Sequence, residues 1–103
     1  MGPPKLTPEQ RARALEKAAE ARRKRAEVKE LLKNATITLP ELFERAETDE
    51  HVAGMKVKAV LASLPGLGKV KSARMMRDLN IAENRRVRGL GSRQREALLA
   101  ALS

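Results

Sequence analysis

The chain has no cysteine, no tryptophan and no tyrosine, one phenylalanine, Phe43, and one histidine, His51. Without cysteine there are no disulfides, no thiolate nucleophile and no zinc finger, which is compatible with a reducing cytoplasm. His51 has no second histidine to share an ion with, so no metal site is expected. A single ring cannot supply the row of aromatic platforms on which single-stranded bases stack. With Leu42 and Ala46 as neighbours, Phe43 reads instead as a core anchor. No apolar run approaches the ~20 residues that cross a bilayer, and the first ten residues, MGPPKLTPEQ, lack the hydrophobic region of a signal peptide. A soluble intracellular protein is therefore expected. No nucleophile, general base and orienting group stand out as a set, so the chain reads as non-enzymatic, with no cofactor and no small-molecule substrate.

What is present is positive charge. A chain of 103 residues with 42% apolar residues supports one small domain built from Leu, Val, Ala, Met and Ile. The net charge of +9 is divided unevenly: residues 1–36 carry +5, residues 37–55 carry −4 and residues 56–103 carry +8. Basic surface so concentrated attracts a polyanion and gains affinity by releasing condensed counterions. An anionic membrane would attract it too. An interfacial helix, however, gathers Leu and Phe opposite a lysine-rich face, and no segment here does so, which leaves nucleic acid as the favoured partner.

In chain order, residues 1–7 form a flexible N-terminus that ends at a helix start, Thr7-Pro8-Glu9-Gln10, where Thr7 caps, Pro8 suits the first turn and Gln10 reaches back. An uninterrupted run rich in Ala, Glu, Lys and Arg predicts one basic helix over 8–34, about 40 Å long. Val28, Leu31 and Leu32 give it an apolar patch near its end only, so docking is expected there and projection elsewhere. It carries Arg22, Arg23, Lys24 and Arg25, which lie about 100° apart and cannot share one phosphate. They read either as a solvated face with pairs such as Glu9 with Arg13 and Glu20 with Lys24, or as a secondary DNA contact through Arg22, Arg23 and Arg25 or an inter-protein one.

Residues 35–103 read as a compact helical domain. Thr38-Leu39-Pro40-Glu41 opens a short helix ending near Glu47, and Thr48 and Asp49 begin another turn. In the segment from Met55 to Leu64, Val57, Val60, Leu61 and Leu64 fall at i, i+3, i+4 and i+7, the buried stripe of a helix. A further helix over Lys69 to Leu79 is expected to turn Val70, Ala73 and Met76 inward, with Met75 and Leu79 as further candidates. Asn80 is expected to stop it in a left-handed conformation, and Ile81 returns the chain to the core. Ser92 is expected to cap a last helix that buries Ala97, Leu98, Ala101 and Leu102. No strand is expected.

Two stretches carry the chemistry. In Leu64-Pro65-Gly66-Leu67-Gly68-Lys69 a tight hairpin sets glycine amides at a helix start, where N–H groups are unpaired and electropositive. Gly66 and Gly68 allow positive φ and close approach of a ligand. Lys71 and Ser72 follow within a turn. In the segment from Arg85 to Arg95, five arginines lie within eleven residues, interrupted by Gly89 and Gly91. Arg85, Arg86 and Arg88 are suited to a neighbouring phosphate or to a narrow minor groove, and Arg93 opens the last helix. Solubility alone is the blander account of these arginines. With no Asn or Gln evidently presented for base readout, low sequence specificity is expected.

The pairing of LPGLGK with RRVRGLGSRQR, behind an arginine- and alanine-rich first helix, resembles the actinobacterial integration host factor family over nearly the whole chain. The segment is also similar to the helix-two-turn-helix module of the small-subunit ribosomal protein of the subunit head and of formamidopyrimidine-type DNA glycosylases. The resemblance implies an all-α domain of five or six helices with the helix-two-turn-helix module over about 55–103. With the chemistry of the two stretches, the expectation is a monomeric, nucleoid-associated protein that binds double-stranded DNA through Gly66, Gly68, Lys69, Lys71, Ser72, Arg85, Arg86, Arg88, Gly89 and Arg93. Compaction or bending of DNA and assistance to phage integrase complexes are what the resemblance implies beyond this. The alternative is an RNA-binding or ribosome-associated protein using the same module. The glycosylase reading lacks its parts, because Pro3 is internal, lysine follows Pro4 and no zinc ribbon can form.

Overall fold

The computed structural model describes residues 6–102; residues 1–5 of the segment expected to be flexible lie outside the described residues. Among the described residues there are six α-helices, one 3₁₀ turn and no strand. Helix α1 (Pro8–Lys33) begins as its sequence requires. Thr7 Oγ1 accepts from the Gln10 amide at 3.1 Å, and Gln10 Oε1 accepts from the Thr7 amide at 3.0 Å. Leu32 is fully buried and Val28 nearly so, whereas Leu15 is 62% exposed. The helix therefore docks by its last turns and projects by the rest. The expected pair Glu20–Lys24 forms at 3.6 Å.

Helix α2 (Leu39–Ala46) repeats the reciprocal cap with Thr38 and Glu41 and buries Leu39, Leu42 and Phe43. The ring of Phe43 lies in the core, 5% exposed, with the Arg95 guanidinium 5.1 Å from its centre. A four-residue turn, α3 (Glu50–Ala53), is capped by Asp49 and buries Val52. Helix α4 (Val57–Ser63) sinks Val57, Val60 and Leu61 into the core, while Leu64 at its end is half-buried. It starts later than the Met55 of the sequence reading because Met55 and Val57 pair through their backbones with the arginine segment. The Val57 amide donates to the Arg85 carbonyl and the Val87 amide to the Met55 carbonyl, each at 2.9 Å.

Helix α5 (Gly68–Asp78) follows the hairpin and packs against α4. Its inward face differs from the expected one. Met76 and Ser72 are buried, Met75 and Leu79 are partly so, and Val70 is 76% exposed. At about 100° per residue Val70 stands roughly 120° from Met76, so the two cannot share a face. Asn80 stops the helix at φ 56° and Ile81 is buried, as expected. The 3₁₀ turn Val87–Gly89 leads to α6 (Ser92–Ala101). Ser92 is the first helical residue of α6 and not its cap. Gly91 holds the cap position, and Gln94 Oε1 reaches back to accept from its amide at 3.0 Å. Leu98 is fully buried and Leu99 and Leu102 pack on the core, while Ala101 faces out. Burial of a leucine such as Leu61 or Leu98 contributes about 1.5–3 kcal/mol, and aliphatic side chains supply most of this core.

Candidate nucleic-acid interface

The hairpin between α4 and α5 has the backbone its sequence predicts. Gly66 has φ 77° and Gly68 φ 70°, and a Cβ placed on either would meet nothing within 4 Å. Glycine is thus required by conformation rather than by crowding. No side chain caps α5. Its first turn keeps the electropositive end of the helix open to the exterior, where Pro65, Gly66, Gly68 and Lys69 are all exposed. Residues 62–68 line a shallow recess together with Lys33 from the end of α1.

Ser72 does not belong to this surface. It is fully buried, and its hydroxyl donates to the Gly68 carbonyl one turn back. A hydroxyl so placed cannot reach a phosphate and acts on the hairpin only by fastening its second glycine. Lys71 is exposed and lines a hollow between α5 and α6 with Leu67 of the hairpin, Arg74, Asp78 and Ala101.

The arginine segment lies at the other end of α4. Lys56 and Arg86 form an isolated antiparallel bridge, and the backbone bonds at Met55 and Val57 lock Arg85 to Val87 against the start of the helix. Hairpin and arginines are therefore separated by the length of α4, about 10 Å. Arg85, Arg86 and Arg88 are all exposed. Arg86 donates to the Gly54 carbonyl and Arg85 to the Gly89 carbonyl, the latter at 3.3 Å. A Cβ at Gly89 would lie 3.1 Å from Arg85 Cδ, so this glycine makes room for the Arg85 stem and needs no unusual φ. Arg93 is exposed in the first turn of α6. The fifth arginine of the run, Arg95, is turned inward over Phe43.

A second recess, of about 320 Å³, opens between α1, the α3–α4 link and the arginine segment. Its charged lining is wholly basic: Arg22, Arg25, Lys29, Lys56 and Arg86. This divides the cluster on α1. Arg23 and Lys24 lie elsewhere, in a hollow with Glu16, Glu20 and Glu27, so Arg23 does not accompany Arg22 and Arg25. Lys29, Lys33 and Lys56 were not singled out from the sequence, although Arg25, Lys29 and Lys33 recur at i+4 spacing and so fall on one side of a helix.

Comparison with known proteins agrees with this architecture. The profile of the S13-like H2TH domain family matches residues 32–102. Over 99 residues the chain is 57% identical to an integration host factor of Mycolicibacterium smegmatis, covering 96% of this chain and 94% of that protein. The chain belongs to the integration host factor family. Membership extends to the relative from Mycobacterium tuberculosis, 56% identical over 96% of this chain and 94% of that one. An integration host factor of Streptomyces coelicolor is 55% identical over 91% of this chain and 88% of its own. Among solved structures, that of sIHF bound to an 8 bp palindromic DNA superposes with a TM-score of 0.82 at 48% identity, covering 85% of this chain and 99% of that one. The all-helical fold of this family member, with its long first helix, is therefore that of sIHF.

Proposed function

We propose that this integration host factor family member is a non-enzymatic architectural protein of the bacterial nucleoid that binds duplex DNA by its sugar-phosphate backbone with low sequence specificity. The observation that carries the reading is the likeness to sIHF, a DNA-bound relative, over a fold that holds an open helix start and three exposed arginines at the two ends of α4. Amide dipoles at Gly66, Gly68 and Lys69 suit one phosphate. Arg85, Arg86 and Arg88, with Arg93 near them in sequence, suit a second stretch of backbone or the minor groove. Lys71, exposed one turn into α5, adds longer-range attraction. Main-chain amides at the hairpin take a phosphate whatever the bases are, which supports low specificity. Compaction or bending of DNA, help to phage integrase complexes, a monomeric state and residence in the cytoplasmic nucleoid are parts of the same proposal.

The test is titration of a short fluorescent duplex and a structured RNA of equal length, by anisotropy at several salt concentrations. Tighter binding to the duplex, with log K falling linearly in log salt by about 0.9 per phosphate contact, is the expected result. RNA bound about tenfold more tightly than the duplex would make the protein an RNA-binding member of the fold.

A further inference from the structure

Helix α1 has almost no sorting of apolar residues, yet its carboxylates are sorted to one side. Placed at about 100° per residue, Glu9, Glu16, Glu20, Glu27 and Glu30, which are all of its carboxylates, fall within an arc of about 80°. Five of its nine basic residues, Arg11, Arg22, Arg25, Lys29 and Lys33, fall within another arc of about 80°, centred some 140° away and free of any carboxylate, while Arg13, Lys17, Arg23 and Lys24 lie outside it. Charges mixed merely for solubility would alternate around the helix. Here the buried residues Val28 and Leu32 fix its rotation on the domain. The basic arc is thereby brought to the side where α4 lies. Arg22, Arg25 and Lys29 line the recess beside Arg86, and Lys33 lines the recess of the glycine hairpin.

We propose that α1 and α4 together form one cationic seam. It runs from the hairpin past Lys33, Lys29, Arg25 and Arg22 to Lys56 and Arg86, and it seats the backbone of the same duplex that the two ends of α4 hold. This deepens the DNA-binding reading and rests on it. From Arg22 to Lys33 the seam is about 16 Å long, enough to follow several phosphates at 3.4 Å of duplex axis per strand. The seam joins two stations that would otherwise act separately, and so sets the direction of the duplex across the domain. The glutamate arc is turned away from the seam and repels nucleic acid, which leaves one duplex per basic face.

Two double variants remove equal charge from opposite sides of the same helix: Arg22→Gln with Arg25→Gln in the seam, and Arg23→Gln with Lys24→Gln outside it. Both pairs are read by duplex anisotropy against salt, with circular dichroism as the check on folding. A third variant, Lys29→Gln with Lys33→Gln, tests the hairpin half of the seam. The seam pairs are expected to weaken binding by about fivefold or more and to lower the salt slope by about 1.8, and the outer pair by less than twofold with the slope nearly unchanged. Equal losses from the inner and outer pairs would reduce α1 to diffuse attraction. An unaltered slope in both seam pairs, with wild-type binding intact, would overturn the seam and leave the DNA-binding reading standing. If the wild-type protein bound no duplex, both would fall together.

Discussion

The guanidinium of Arg86 donates to the main-chain carbonyl of Gly54, 32 residues earlier in the chain. One side chain thus both closes the α3–α4 link and lines the basic recess. Arg85 and Arg88 make no comparable long-range bond in the described structure, so the three arginines are not equivalent.

Removing the charges of Arg85, Arg86 and Arg88 together is expected to weaken duplex binding more than tenfold in moderate salt and to lower the salt slope by roughly one unit per lost contact. Singly, Arg86→Ala is expected to cost about 1 kcal/mol of folding stability as well, whereas Arg85→Ala and Arg88→Ala cost less than about 0.5 kcal/mol. Thermal denaturation of the three single variants separates the staple from the charges.

At Gly66 and Gly68 the free space around a notional Cβ separates conformation from crowding. Valine at either position is expected to cost about 1–2 kcal/mol through left-handed strain and to disturb DNA binding. Asparagine, which enters that region more readily, is expected to keep the fold at a smaller cost. Equal destabilisation by Asn and Val in urea unfolding would mean that the hairpin is held by packing after all.

Ser72→Ala removes a buried hydroxyl and leaves the helix intact. A loss of about 0.5–1.5 kcal/mol in stability is expected, with duplex affinity changed by less than about twofold. Full stability with lost affinity would instead make the hydroxyl a phosphate ligand.

Val70 and Met76 give a direct test of which way α5 faces. Val70→Lys is expected to leave the melting temperature within a degree or two and, lying close to the open helix start, to strengthen DNA binding slightly. Met76→Ala is expected to cost about 2–5 kcal/mol by opening a cavity in the core.

Local chemistry was readable from the sequence wherever a residue acts on near neighbours. Thr7 with Gln10, Thr38 with Glu41, Asn80 and the two hairpin glycines do in the structure what their own few residues require. The errors came where a distant element decides. Val70, Ala73 and Met76 mimic a helical stripe, yet α5 presents Ser72 and Met76 to its neighbours. The distance between hairpin and arginines, and the division of Arg22 and Arg25 from Arg23, depend on how α4 and α1 dock. That docking is set by Val28, Leu32, Val60 and Leu61 acting together. Family resemblance supplied the fold class but not the rotation of α1.

The projecting part of α1 has a thermal consequence. Its first four turns bury no side chain and rely on one reciprocal cap and backbone propensity, and a free helix of that length is only marginally stable in water. The arm is expected to fray on warming well before the body melts, with amide hydrogens around Leu15 exchanging orders of magnitude faster than those around Leu32. Any bound anion that touched the arm would then be felt first as a slowing of that exchange, a signal that travels outward from Arg22 toward Thr7.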